Sequence, residues 1–183
     1  DGGDGNDSIT TGAGNDVILG GAGNDNINAG TGVDYVSGGA GNDTIYISTG
    51  FSSVIGGDGY DRVYITGTIG NTLNLATTGI EYISGGDGND NFDGSTQTVA
   101  LNIDGNAGSD VLRGGSYNDY LYGDEGNNTL YGNGGNDRIY AGSGNDVAYG
   151  GSGNDTINVG LGNNSVDGGD GNDSITTGAG NDV

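Results

Sequence analysis

The sequence predicts an all-β solenoid assembled from short repeats, and three observations carry that expectation. A nine-residue register, Gly-Gly-x-Gly-x-Asp-x-apolar-x, runs through most of the 183 residues. Self-similarity at a short fixed period marks units that cannot bury an apolar face alone and must stack on their neighbours. The register supplies one apolar side chain per nonamer, at its eighth position. The apolar fraction of 31% falls below what an ordinary globular core needs, because the 45 glycines add no side chain to bury.

The first block, residues 1–64, contains seven consecutive nonamers from Gly2 to Tyr64, with Ile9, Ile18, Ile27, Val36, Ile45, Val54 and Val63 at the apolar position. Residues 65–104 depart from the register. Within them, 65–84 carry the alternation Leu73, Leu75, then Ile80, Tyr82; residues 85–93 form one nonamer around Phe92; 94–104 alternate at Val99, Leu101 and Ile103. Such alternation reads as strands. The second block, residues 105–183, holds eight more nonamers, from Leu112 to Ile175 at the apolar position, and a truncated copy at 177–183.

The sixth position is Asp in 13 of the 16 full copies, the exceptions being Ser52, Asn128 and Asn164. This pattern resembles the RTX family, the hemolysin-type calcium-binding nonapeptide repeat. The resemblance implies a right-handed parallel β-roll with two nonamers per turn, each a six-residue loop and a three-residue strand, here with two irregular insertions. It implies Ca2+ held between loops of successive turns by the sixth-position carboxylate and loop carbonyls. Carried over position by position, the ligands are Asp7, Asp16, Asp25, Asp34, Asp43, Asp61 and Asp90, then Asp110, Asp119, Asp137, Asp146, Asp155, Asp173 and Asp182. The chemistry of the residues agrees. Calcium takes six to eight oxygens in flexible geometry, glycine permits the positive φ of a tight loop, and the Asn before the Asp is the non-glycine residue that best tolerates that region.

With two nonamers per turn, loops on one side recur at every second nonamer. One side collects Asp7, Asp25, Asp43 and Asp61; the other collects Asp16, Asp34 and Ser52. Counting 65–84 as a turn with two extra residues and 94–104 as a half turn with two extra, Asp119, Asp137, Asp155 and Asp173 continue the first side. Asp90, Asp110, Asn128, Asp146, Asn164 and Asp182 fall on the second. All three substitutions then lie on one side, and the expectation is one nearly continuous calcium row and one interrupted row.

The formal charge is −22, with three arginines and no Lys, His or Cys. Histidine triads, imidazole zinc sites and thiol chemistry are excluded, and the acidic residues are assigned to the repeat, so no enzyme activity is expected. A surface this acidic is unsuited to nucleic acid, and no apolar run approaches the roughly 20 residues that span a bilayer. Carboxylates stacked at about 4.8 Å repel strongly. On the order of ten divalent ions would neutralise them, so metal binding should drive folding.

Residues 1–17 and 167–183 are identical at all 17 positions, including positions the consensus leaves free. The chain is thus one 166-residue period plus a 17-residue overlap, with no polar cap in view. The expected function is a calcium-binding structural module of an extracellular fibril, surface layer or adhesin stalk, joined end to end with identical copies. The alternative is the calcium-dependent secretion tail of an enzyme or toxin. Either places the chain outside the cell, exported by a type I pathway if the resemblance extends that far. The side-mates Tyr46 and Tyr64, Tyr122 and Tyr140, and Tyr131 and Tyr149 should stack in ladders; lateral or carbohydrate contact is their functional reading.

Overall fold

A computed structural model describes residues 1–48, 50, 51 and 53–183. Its strands are all paired in parallel, in three sheets. A ten-stranded sheet runs from Ser8–Thr10 to Ser174–Thr176. A four-stranded sheet, from Gly3–Asp4 to Ser53–Asp58, is followed by a six-stranded one from Thr72–Asn74 to Ser165–Asp170. The chain alternates between the ten-stranded sheet and the other two, and so coils into a solenoid of about ten turns. Among the described residues, no helix is long and apolar enough to cross a membrane.

The register shows why two nonamers close one turn. Ile9 pairs with Ile27, Ile27 with Ile45, and Ile45 with Val63, each partner lying two nonamers further along the chain. The irregular segment lengthens the turn without breaking it: Val63 pairs with Ile83, Ile83 with Ile103, and Ile103 with Leu121. The first two of these steps exceed two nonamers by the two extra positions expected of each insertion, and the third does not. Because successive side chains of a strand point to opposite faces, only the middle residue of each three-residue strand faces inward. Ile27, Ile45 and Val63 from the ten-stranded sheet, and Val36, Phe92 and Leu112 from the other two, are buried in one core.

Strands are not uniformly short. Val17–Ala22, Tyr35–Ala40 and Val147–Ser152 continue through the opening of the next loop. In the first block pairing persists there because glycine stacks on glycine, Gly21 pairing with both Gly3 and Gly39; in the second, Gly151 pairs with Asn133 and Gly169. At φ +118°, a Cβ on Gly21 would strike the Gly3 carbonyl, so no other residue fits.

The tyrosine ladders form as expected. Ring centroids lie 5.1 Å apart for Tyr46 and Tyr64, 5.2 Å for Tyr122 and Tyr140, and 5.1 Å for Tyr131 and Tyr149. Tyr82 extends the first ladder, 5.3 Å from Tyr64. All three arginines lie over tyrosine rings, Arg62 on Tyr60, Arg113 on Tyr131 and Arg138 on Tyr120.

Candidate metal centre

Among the described residues, the sixth-position residues from Asp7 to Asp173 sit just before a strand. The main-chain N–H of Asp7 donates to Oδ1 of Asp25 at 2.8 Å, Asp25 to Asp43 at 2.8 Å, and Asp43 to Asp61 at 2.7 Å. Asp119, Asp137, Asp155 and Asp173 repeat the chain of bonds in the second block. The opposite row joins Asp16 to Asp34, and then Asp90, Asp110, Asn128, Asp146, Asn164 and Asp182 in sequence. The assignment of residues to two sides therefore holds. Ser52 lies outside the described residues.

Three row members escaped sequence reasoning because they lie in the insertions. Glu81 takes the place after Asp61, accepting its N–H at Oε2, 2.9 Å away. Leu101 precedes Asp119, donating its N–H to that carboxylate at 2.7 Å. Asn71 precedes Asp90 in the second row. The first row is thus not the nearly continuous one expected, since a leucine interrupts it. The signal was the lengthened spacing from Asp61 to Glu81 and from Glu81 to Leu101, which equals the lengthened core steps from Val63 to Ile83 and Ile103.

The Asn at position five also behaves differently from expectation. Among the described residues, the non-glycine residues with positive φ are Asn106, Asp124 and Asn133, so Asn6, Asn24 and Asn42 are not in the left-handed region. Their side chains instead accept main-chain N–H groups from the following turn: Asn24 donates to Oδ1 of Asn6 at 2.8 Å, and Asn42 to Asn24 at 2.7 Å. In the second block the N–H groups of Asn154 and Asn172 donate likewise to Oδ1 of Asn136 and Asn154.

In Asp25, Asp43, Asp61, Asp90, Asp110 and Asp137, Oδ1 is taken by the N–H of the preceding row member. Oδ2 of Asp25, Asp43, Asp61, Asp90, Asp110 and Asp137 is buried without a hydrogen-bond partner, an arrangement that costs dearly unless a cation meets it. Burial accordingly pushes Asp61 and Asp119 up to about 6. Asp110 and Asp137 rise to about 7, again chiefly by desolvation. Asp43, Asp90, Asp146 and Asp155 are raised for the same reason.

The orphaned oxygens point to a definite place. A Cβ added at Gly2 would stand 2.5 Å from both Oδ2 of Asp7 and the carbonyl oxygen of Gly20. Oδ2 of Asp25 and the Gly38 carbonyl converge likewise on Gly20, and Oδ2 of Asp137 and the Gly150 carbonyl on Gly132. Hard oxygens of this kind, one anionic and one carbonyl, suit calcium. Among the described residues no three acidic side chains gather to hold an ion, so main-chain carbonyls would complete the shell. The residues present fit the ion.

The family model described as the RTX calcium-binding nonapeptide repeat (4 copies) matches residues 1–36, 20–52, 75–97, 104–139, 113–148, 131–166 and 149–183. The chain belongs to this RTX repeat family. A comparison with curated proteins finds no match. As an RTX roll, the chain is a calcium-binding module with aspartate rows between its turns. When bound, calcium supplies positive charge where the buried carboxylates need it. The RTX chain itself supplies the spacing, through its Asp-to-N–H bonds, and the room, through its glycines.

Proposed function

We propose that this RTX roll is a structural module of an extracellular fibril, surface layer or adhesin stalk, stiffened by calcium and continued through tandem copies of itself. The observation that carries the reading is the 17-residue identity between 1–17 and 167–183. The two copies occupy equivalent places. Ser8–Thr10 and Ser174–Thr176 are both strands of the ten-stranded sheet, and Asp7 and Asp173 open them in the same row. A period that returns to the same row keeps the register of any number of modules. At about 4.8 Å per turn, one period advances the roll by roughly 43 Å.

Calcium sites of extracellular modules work at about 10⁻⁴–10⁻³ M, so the roll would be empty in cytosol and filled outside, which suits export before folding. The same property suits a secretion tail, and family membership favours that second reading as much as the first; the long period favours the stalk. The reading is tested by small-angle scattering in calcium on this chain and on a chain carrying one further period. A rod that lengthens by roughly 43 Å supports it, and electron microscopy should show straight particles that collapse on chelation. A longer chain that scatters as two independent bodies would overturn it.

A further inference from the structure

The two rows of sixth-position residues are not alike in what stands opposite them. In the first block every nonamer of the first row opens with glycine, and Gly2, Gly20, Gly38 and Gly56 each lie against Oδ2 of their own Asp. In the second block Gly114, Gly132, Gly150 and Gly168 repeat the arrangement. These glycines do not have positive φ. They are required by the closeness of the carboxylate, which a methyl group would displace.

Between the blocks the arrangement changes sides. The first row there holds Glu81 and Leu101, and no glycine meets a row carboxylate. The second row instead supplies Gly85 against Oδ2 of Asp90 and Gly105 against Oδ2 of Asp110. Each of the ten strands of the ten-stranded sheet is therefore accompanied by a single glycine-opened cradle, on the first side for four turns, the second for two and the first for four.

Elsewhere the second row is filled. Ala29, Ile47, Ala141 and Val159 stand at the opening position and are buried core residues, and Thr11 and Thr177 open the outermost copies. Where that side chain is Ile47 or Val159, the sixth position is Ser52 or Asn164. Gly123 keeps its glycine but faces the Asn128 amide nitrogen. The two larger opening side chains thus go with a sixth position that has lost its charge, whereas Ala29 and Ala141 go with Asp34 and Asp146.

Resting on the calcium reading, we infer that the roll binds its tighter calcium one ion per turn, in the ten glycine-opened cradles, and that Asp16, Asp34, Asp146 and Asp182 form a weaker second tier. Orphaned Oδ2 atoms follow the division. They occur at eight of the ten cradles, the exceptions being Asp119, whose Oδ2 takes the Gly115 N–H at 2.6 Å, and Asp173. Outside the cradles they occur at Asp16 and Asp146.

Equilibrium dialysis of the full chain against radioactive calcium counts the ions in each affinity class. The expected result is ten ions in the tighter class. Gly132→Ala should remove one of them, because its methyl enters the cradle of Asp137. Ala141→Gly should add one, because it opens the space beside Asp146, whose Oδ2 is orphaned. A single class containing every ladder aspartate, or a Gly132→Ala chain that folds and keeps every tight ion, would overturn the inference. If Gly132→Ala does not fold, an unchanged count in Ala141→Gly overturns it instead. A wild-type chain that binds no calcium refutes the underlying calcium reading before either variant is made.

Discussion

The main-chain N–H of Asp25 is held by Oδ1 of Asp43 one turn on, at 2.8 Å. The neighbouring position does the reverse, with the Asn42 N–H held by Oδ1 of Asn24 one turn back, at 2.7 Å. Two side-chain ladders of opposite direction therefore run beside the backbone sheets. The asparagine ladder satisfies loop amides with neutral acceptors at the surface. The aspartate ladder leaves a buried carboxylate oxygen without a hydrogen bond at most of its members, Asp25 and Asp43 among them, and such an oxygen favours a fold that holds a cation.

Removing calcium should therefore unfold the chain at neutral pH. Far-ultraviolet circular dichroism is expected to show a β spectrum at millimolar calcium and a disordered one after chelation, reversing when calcium is restored. Binding energy acts here as folding energy, and apparent stability should rise with calcium concentration. A β spectrum unchanged after complete calcium removal would contradict the assignment of Oδ2 as the metal-facing atom.

Acid should partly substitute for the metal. In the calcium-free roll Asp110 and Asp137 sit at about 7, against 3.8 for the free side chain. A folded-state value above the unfolded one means that the folded chain binds more protons between the two. Its stability is then greatest below about pH 4 and is lost as pH rises toward 7. Decalcified protein should gain β signal on acidification from pH 7 to 4. In calcium the sign reverses, because protons compete for the same oxygens, and the calcium midpoint should move to higher concentration as pH falls. A metal-free chain equally disordered at pH 4 and pH 7 would show that burial of these carboxylates is not what opposes folding.

Most of this architecture is legible in the sequence because the repeat ties each position to one physical task. The apolar eighth positions from Ile9 to Ile175 follow from counting; the two-nonamer turn comes from the RTX resemblance, and the division of Asp residues between two sides follows once it is granted. What was not legible has a common cause. Glu81, Leu101 and Asn71 occupy row positions in segments that do not follow the nonamer consensus, so only the pairing of Ile83 with Val63 and Ile103 places them. The asparagine ladder was missed for another reason. Asn is favoured both for positive φ and for accepting a neighbouring N–H, and sequence alone does not choose between them.

The asparagine ladder itself can be weighed. Asn136→Ala would leave the Asn154 N–H, now bonded at 2.6 Å, to exposed solvent. A hydrogen bond of this kind is worth about 0.5–1.5 kcal/mol, and an exposed amide recovers part of that from water. Urea denaturation in saturating calcium should show a loss at the lower end of that range, with the number of bound ions unchanged. A lost ion would mean that the neutral ladder shapes the metal sites as well as the loops.

The core and the surface ladder should respond very differently to truncation. Phe92 is the largest fully buried side chain. It pairs with Leu73 and Leu112 across the two insertions, where both register steps are longer than the two-nonamer turn. Phe92→Ala should cost about 3–5 kcal/mol, the usual figure for emptying a buried aromatic site. Tyr64 lies between Tyr46 and Tyr82 on an outer face, and Tyr64→Ala should cost about 0.5–1.5 kcal/mol for its stacking. Urea denaturation in saturating calcium measures both. If the Tyr64 variant lost as much as the Phe92 variant, the outer tyrosines would be part of the folding core and not a surface ladder free to meet a partner.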